Sequence, residues 1–335
     1  MMVRRLRGLL GPEEAAVLAL LVVTFCAMGA LNPRFFETNN LLEMSRFFVE
    51  TGLVALAMAP IIITGGIDLS VGSMVGLSVV VMGMGWRHLG LGPGPDIALG
   101  LVAGGLAGFV NGLFVSKVRI PPLIVTLATM ALYRGIALGL GARAPVSDFP
   151  PEYYELGQAY YTVLGAVQVP QQLPLLVVLG VSAAVVLHRT VFGRWVYAIG
   201  HNERAAWFAG VPVPTVRLVL YTFSGLMSAL AGAVFLSRVA TAKADAGTLM
   251  ELDVITVCVL GGVSIYGGKG SILGAVLGLL VVSSLVRGLT LGRVPFEDQK
   301  IILGAVLLIA AVAQHFLAQR ATRARTSAAK SEPAQ

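Results

Sequence analysis

Charge is scarce in this sequence. Only 12% of its 335 residues are Asp, Glu, Lys or Arg, roughly half the share in a soluble domain. So small a stock cannot coat a globule of this size, which excludes a soluble enzyme. Cysteine is almost missing. Cys26 and Cys258 both stand inside apolar runs, where a thiol acts as a small hydrophobe, and they support no disulfide framework. The four histidines, His88, His188, His201 and His315, are scattered. No Cys/His spacing fits a metal site, so neither a metal nor any other cofactor is expected. The 40 glycines follow no triplet period, which removes collagen.

Apolar residues are abundant, at 56% of the chain. That removes disorder, since disordered chains are poor in them, and leaves a polytopic membrane protein. A helix needs about 20 apolar residues to cross a bilayer. Cutting the chain at its charges gives ten candidates: 15–33, 51–67, 69–86, 97–116, 120–142, 173–188, 218–237, 254–268, 270–286 and 301–319. Helices satisfy their own backbone hydrogen bonds in lipid. The expected fold is therefore all-α, a membrane bundle of about ten transmembrane helices. Arg4, Arg5 and Arg7 before an apolar run resemble a cleavable signal, but Glu13, Glu14 and the length of the run favour a retained first helix.

Basic residues set the orientation. With residues 1–14 inside, 14 of the 24 Lys and Arg fall on the inner side. Both termini are thus expected in the cytoplasm. The domain reading is a cytoplasmic N-terminus at 1–14, a transmembrane domain at 15–319 and a disordered basic tail at 320–335. No basic stripe with interleaved aromatics occurs, so no nucleic acid is expected, though the tail can touch anionic lipid.

Gly100, Gly104, Gly108 and Gly112 recur at every fourth position, as do Gly270, Gly274 and Gly278, and Gly225, Ala229 and Ala233. Small residues at this spacing let helices approach closely in lipid. Two glycine-rich breaks interrupt the spans. One contains Gly65, Gly66, Asp68, Gly72 and Ser73, the other Gly261, Gly262, Gly267 and Gly268. Each begins with a Gly pair after an apolar run and ends with Gly/Ser opening a helix, which suggests an internal duplication. Such breaks in both halves point to a transport path, with ordinary turns as the alternative. The second break nearly matches a phosphate loop. However, Val263 stands where a Gly is needed and Gly270 where a Ser or Thr is needed, so no nucleotide site is present.

Polar side chains inside the spans are few. Ser73, Asn111, Thr126, Thr129 and Arg134 are candidates to line a path for a polar solute, because such a solute needs hydrogen-bond partners in place of water. An arginine within a span is costly unless it faces protein or water. Glu50 and Arg287 lie near span ends, where reaching to the interface is the simpler reading. Between the sixth and seventh spans, a cytoplasmic segment at about 189–217 carries a short helix signal. Asn202 is a good N-cap, Glu203 sits in the first turn, and Gly210 suits the stop before Pro212 and Pro214. The predicted helix, 203–209, holds Arg204, Ala205, Ala206, Trp207, Phe208 and Ala209. It is too apolar for a solvated loop. It rests either on the membrane surface or on a partner protein.

Taken together, residues 64–73, 111–121, 197–210 and 251–270 resemble the permease subunits of bacterial ATP-binding-cassette importers for monosaccharides, the ribose, xylose, rhamnose and autoinducer group. The resemblance spans about residues 41–312. It implies a multi-pass permease of the bacterial cytoplasmic membrane that pairs with itself or with a sister permease. Its implied partners are cytoplasmic ATP-binding subunits and a periplasmic or lipid-tethered sugar-binding protein. Residues 202–210 match the family's coupling helix, and ATP hydrolysis would then belong to a partner. The chain itself is expected to have no catalytic residues. No H-E-x-x-H occurs and no G-x-S-x-G is complete. The rival reading is an ion-coupled secondary transporter of a small polar solute. Such a transporter needs membrane-buried acids, and only Glu50 lies in a span, with Asp68 and Asp253 at edges.

Overall fold

The computed structural model describes residues 11–141, 145–163 and 167–312. The expectations for residues 1–10 and for the tail at 320–335 lie outside the described residues, as does the end of the tenth span. The chain forms an all-α bundle. In order it runs α1 (Pro12–Leu31), α2 (Thr38–Ile63), α3 (Val71–Leu89), α4 (Pro93–Leu113), α5 (Pro122–Gly141), α6 (Gln172–Arg189), α7 (Val191–His201), α8 (Glu203–Phe208), α9 (Val213–Val239), α10 (Met250–Leu260) and α11 (Ile272–Leu291). A twelfth helix, α12, covers 296–312. Between α5 and α6 lies an antiparallel hairpin, β1 (Tyr160–Val163) paired with β2 (Val167–Pro170), outside the expected spans.

Among the described residues, seven helices are long and apolar enough to cross a membrane: α1, α2, α4 with the turn that follows it, α5, α6, α9 and α11. The chain is a polytopic membrane bundle. α10, with 11 residues, is shorter than the expected span at 254–268; its continuation is irregular backbone. α2 begins well before the expected residue 51. Cutting at charges placed its start too late, because Glu43, Arg46 and Glu50 are held inside the helix by tertiary partners. Arg46 donates to Tyr160 Oη (2.7 Å) and Gly157 O (3.2 Å). Arg238 grips Glu50 at 2.7 and 3.1 Å. Glu50 is buried and paired, and Arg287 donates to Asn40 Oδ1 at 2.6 Å. Glu50 does not reach outward, which corrects its reading.

α2 is the centre. Leu53, Val54, Ala57, Met58, Ile61 and Ile63 are fully enclosed. α1 and α6 lie outside and turn Val22, Val23, Val177 and Val178 outward, as lipid-facing helices do. The small-residue ridges are contact seams. A Cβ on Gly104 would sit 2.5 Å from Gly225 O, and Gly108 abuts the backbone of Tyr221 and Gly225. Gly274 and Gly278 press on Gly261 and Val257. Gly100 departs from its row and meets Met82 of α3.

Beyond α9 the chain turns through Ala240 (φ +56°) and runs as irregular backbone to Leu249 (φ +63°). This segment lies along α3. Gly247 abuts Gly72, Ala244 and Ala246 abut Gly76, and Ala242 abuts Gly83. Non-helical backbone within a membrane bundle is tolerated where protein covers it, and the three missing side chains on α3 make room for it.

The bundle has two distinct ends. At one end Ser271 donates to Glu14 Oε1 (2.8 Å), Tyr197 to Gly270 O (2.7 Å) and Gly268 N to Ile63 O (2.8 Å). At the other end Tyr153 donates to Leu91 O (2.7 Å), Gln158 to Arg238 O (3.2 Å) and Lys300 to Asp253 (2.6 Å).

Candidate functional site

The first glycine break closes α2 with Gly65 at φ +78° and a hydrogen bond from Gly66 N to Ile61 O at 3.0 Å. The second break repeats this geometry. Gly262 has φ +83° and Val263 N donates to Cys258 O at 3.0 Å. The left-handed residue is therefore the first glycine of one pair and the second of the other. The cap geometry repeats between the two breaks, offset by one residue within the Gly pair. Gly267 and Gly268, at φ +80° and +74°, carry the longer second break against the end of α2.

Asp68 is the centre of a buried polar knot. Its Oδ1 accepts from Ser70 N (3.0 Å) and Ser70 Oγ (2.7 Å), and its Oδ2 from Ser224 Oγ (2.9 Å). Asn111 Nδ2 donates to Ser70 Oγ at 2.7 Å. Tyr133 donates to Ala107 O (2.9 Å) and lies 3.2 Å from Asn111 Oδ1. Tyr221 donates to Ile67 O at 3.1 Å. α3, α4, α5 and α9 meet here. Three donors compensate the desolvated carboxylate of Asp68. Of the residues proposed for a path, Asn111 and Thr126 belong to this knot. Thr126 bonds back to Pro122 O at 2.9 Å with Ile67 O at 3.5 Å. Thr129 bonds to Val125 O at 3.0 Å within its own helix, and Ser73 is buried on α3. Four of the five candidates are thus enclosed by their own chain.

Arg134 is the fifth. From α5 its guanidinium donates to Ala244 O, to Ala246 O (2.9 Å) and to Gly72 O (3.1 Å). It caps two carbonyls that the irregular segment leaves without helical partners and a third in the first turn of α3. An arginine inside a span is accounted for here by backbone that needs its donors.

At the same end of the bundle, α8 forms as the cap residues dictate. Asn202 Oδ1 accepts from Ala205 N at 3.0 Å, Gly210 takes φ +83°, and Val211 N donates to Ala206 O at 3.0 Å. Arg217 grips Glu203 with two hydrogen bonds of 2.8 Å. Ala206 points inward, 4% exposed, while Trp207 is 50% and Phe208 87% exposed. The apolar surface offered outward is therefore aromatic. Expecting Ala206 to face a partner was incorrect, because the helix rests on its own bundle through that side.

Sequence reasoning missed Ser70, Tyr221 and the pair Glu50–Arg238 as parts of polar networks. The Asp-x-Ser order of Asp68 and Ser70 was a readable signal, since an aspartate commonly accepts from the amide two residues on. The partners of Glu50 and Tyr221 lie far away in the chain and leave no local signal.

A sequence profile of the family described as branched-chain amino acid transport system, permease component, matches residues 40–311. The chain belongs to this permease family. Ribose import permease protein RbsC of Bacillus subtilis is 39% identical over 303 residues, 90% of this chain and 91% of the relative. Autoinducer 2 import system permease protein LsrD is 34% identical in Photorhabdus laumondii, over 89% of this chain and 90% of the relative. LsrD of Escherichia coli K12 is 35% identical, over 89% and 91%. No solved structure matches the chain significantly. The resemblance read from the four motif stretches holds, and the permease is a multi-pass membrane protein.

Proposed function

We propose that this permease carries a monosaccharide or a similarly sized polyol across the bacterial cytoplasmic membrane, in an importer driven by ATP hydrolysis on a separate subunit. One observation carries the coupling half of this reading: α8, capped at both ends, presents Phe208 and Trp207 outward. A helix of six residues does not persist alone in water, and its aromatic face suits a groove in a cytoplasmic ATP-binding partner. The substrate half rests on the named relatives, which import ribose and autoinducer 2. Amino acids, named by the family description, are the second reading.

In this proposal the chain crosses the membrane ten times. α3, α10 and α12 complete the seven apolar helices, and the end holding Glu14, Ser271 and α8 is cytoplasmic. The solute, delivered by a binding protein, passes beside the layer of Asn111, Thr126, Thr129 and Arg134, with Ser73 behind it. The functional unit contains two permease subunits. The chain does no chemistry of its own.

The test is uptake in liposomes containing the permease, its ATP-binding subunit and a panel of binding proteins, with ribose, rhamnose and leucine as solutes. Uptake of a sugar that stops on ATP depletion and survives collapse of the ion gradients supports the reading. Leucine uptake would move the substrate to the second reading. Dependence on an ion gradient without ATP would make the chain a secondary transporter. A cysteine at His201 that reacts from outside intact cells would reverse the orientation.

A further inference from the structure

A cavity of about 770 Å³ opens beneath α8. Its walls are the turn that follows α4, the first residues of α5 and α9, and α8 itself. Three helices long and apolar enough to cross a membrane therefore begin or end at its level; in the ten-span reading proposed above, that level is the depth of lipid headgroups. Arg119, Arg204 and Arg217 line it with one carboxylate, that of Glu203. Arg217 already holds Glu203 at 2.8 Å. Arg119 and Arg204 have no acidic partner among the described residues. The guanidinium of Arg119 stands 5.8 Å over the Trp207 ring, on a backbone held at φ +63°. Ser116 lines the same cavity. It is 4% exposed, and its buried hydroxyl has no hydrogen-bond partner among the described residues. α5 and α9 both direct their N-termini, the positive ends of long helix dipoles, at this place.

We infer that the cavity holds the phosphate headgroup of an anionic membrane phospholipid. Two guanidiniums with no acidic partner and a buried hydroxyl with no hydrogen-bond partner, among the described residues, and two helix N-termini share one ligand chemistry, an oxyanion. The setting selects the lipid as its source. Leu113, Phe114, Leu123 and Ile124, on the two helices flanking the cavity, are 38–60% exposed and give acyl chains an apolar track. Basic pockets between membrane helices on the cytoplasmic side are suited to anionic headgroups. The site does not depend on which protein meets α8 or on what the permease carries.

The experiment uses the purified full-length permease in a zwitterionic detergent. Thermal unfolding and native mass spectrometry are followed with added phosphatidylglycerol, phosphatidylcholine or inorganic phosphate. Phosphatidylglycerol should raise the unfolding midpoint and remain bound, while the other two should not. Arg119→Gln should weaken the apparent affinity about tenfold, the loss of one charge-assisted contact. Arg194→Gln, a basic residue outside the cavity, should leave it unchanged. Ser116→Ala, which removes one hydroxyl, should weaken binding too and stands in if Arg119→Gln fails to fold. An equal response to phosphatidylcholine, or one unchanged in both cavity variants, overturns the site. A response to inorganic phosphate as strong as to the lipid overturns the lipid as source. Loss of an ATP-binding subunit from Arg119→Gln, with lipid binding intact, would assign the cavity to a protein partner instead.

Discussion

Glu50 of α2 and Arg238 of α9 face each other as a bidentate pair, Nε to Oε1 2.7 Å and Nη2 to Oε2 3.1 Å, with the glutamate side chain 5% exposed. The pair ties the central helix to the end of α9, where the irregular segment begins. Removing one partner strands the other without compensation. Glu50→Leu is expected to cost about 3–5 kcal/mol. Glu50→Leu combined with Arg238→Leu should recover much of that, because two apolar groups need no pairing. Thermal unfolding in detergent reads both; a double variant no better than the single would show that the pair does more than neutralise charge.

The Gly104–Gly225 seam gives a packing test. Gly104→Leu drives a side chain into the Gly225 backbone and should destabilise by about 3 kcal/mol or prevent assembly. A Cβ on Gly135 of α5 meets nothing within 4 Å in the chain. Gly135→Leu should therefore leave the monomer's own stability unchanged. Equal unfolding midpoints for both variants would place the seam elsewhere.

Around Asp68 the test separates charge from shape. Asp68→Leu leaves three donors of Ser70 and Ser224 without an acceptor, at about 1–3 kcal/mol for each group orphaned. Asp68→Asn keeps one acceptor oxygen and should retain part of the stability. Asn111→Leu breaks the link to Ser70 and should lower uptake while membrane insertion survives. Normal uptake in Asn111→Leu would assign the residue to packing alone.

For α8 the informative position is Phe208. Phe208→Glu changes an outward ring and leaves the bundle intact. It should weaken co-purification of the ATP-binding subunit about 30-fold if the ring is an interface anchor worth about 2 kcal/mol. Ala206→Glu should instead lower the permease's own stability, because Ala206 is buried. Recovery of the partner equal to wild type with Phe208→Glu would leave α8 on the lipid surface.

Scarce charge, long apolar runs, small-residue ridges and the caps of Asn202 and Gly210 were all local patterns, and they determined the membrane class, the helix seams and α8. The family followed from the same short stretches. Helix ends were less legible wherever a charge was satisfied at a distance. Glu43, Arg46 and Glu50 read as boundaries, yet α2 runs through them because Tyr160 and Arg238, over a hundred residues away, take up their charge. Arg134 was visible as an anomaly, but its role was not. Only the folded chain brings the carbonyls of Gly72, Ala244 and Ala246 to one guanidinium. The inward turn of Ala206 and the gathering of Ser116, Arg119 and Arg204 were likewise decided by the tertiary structure. A helix pattern gives the spacing of a face, while packing chooses which face meets protein and which meets lipid or water.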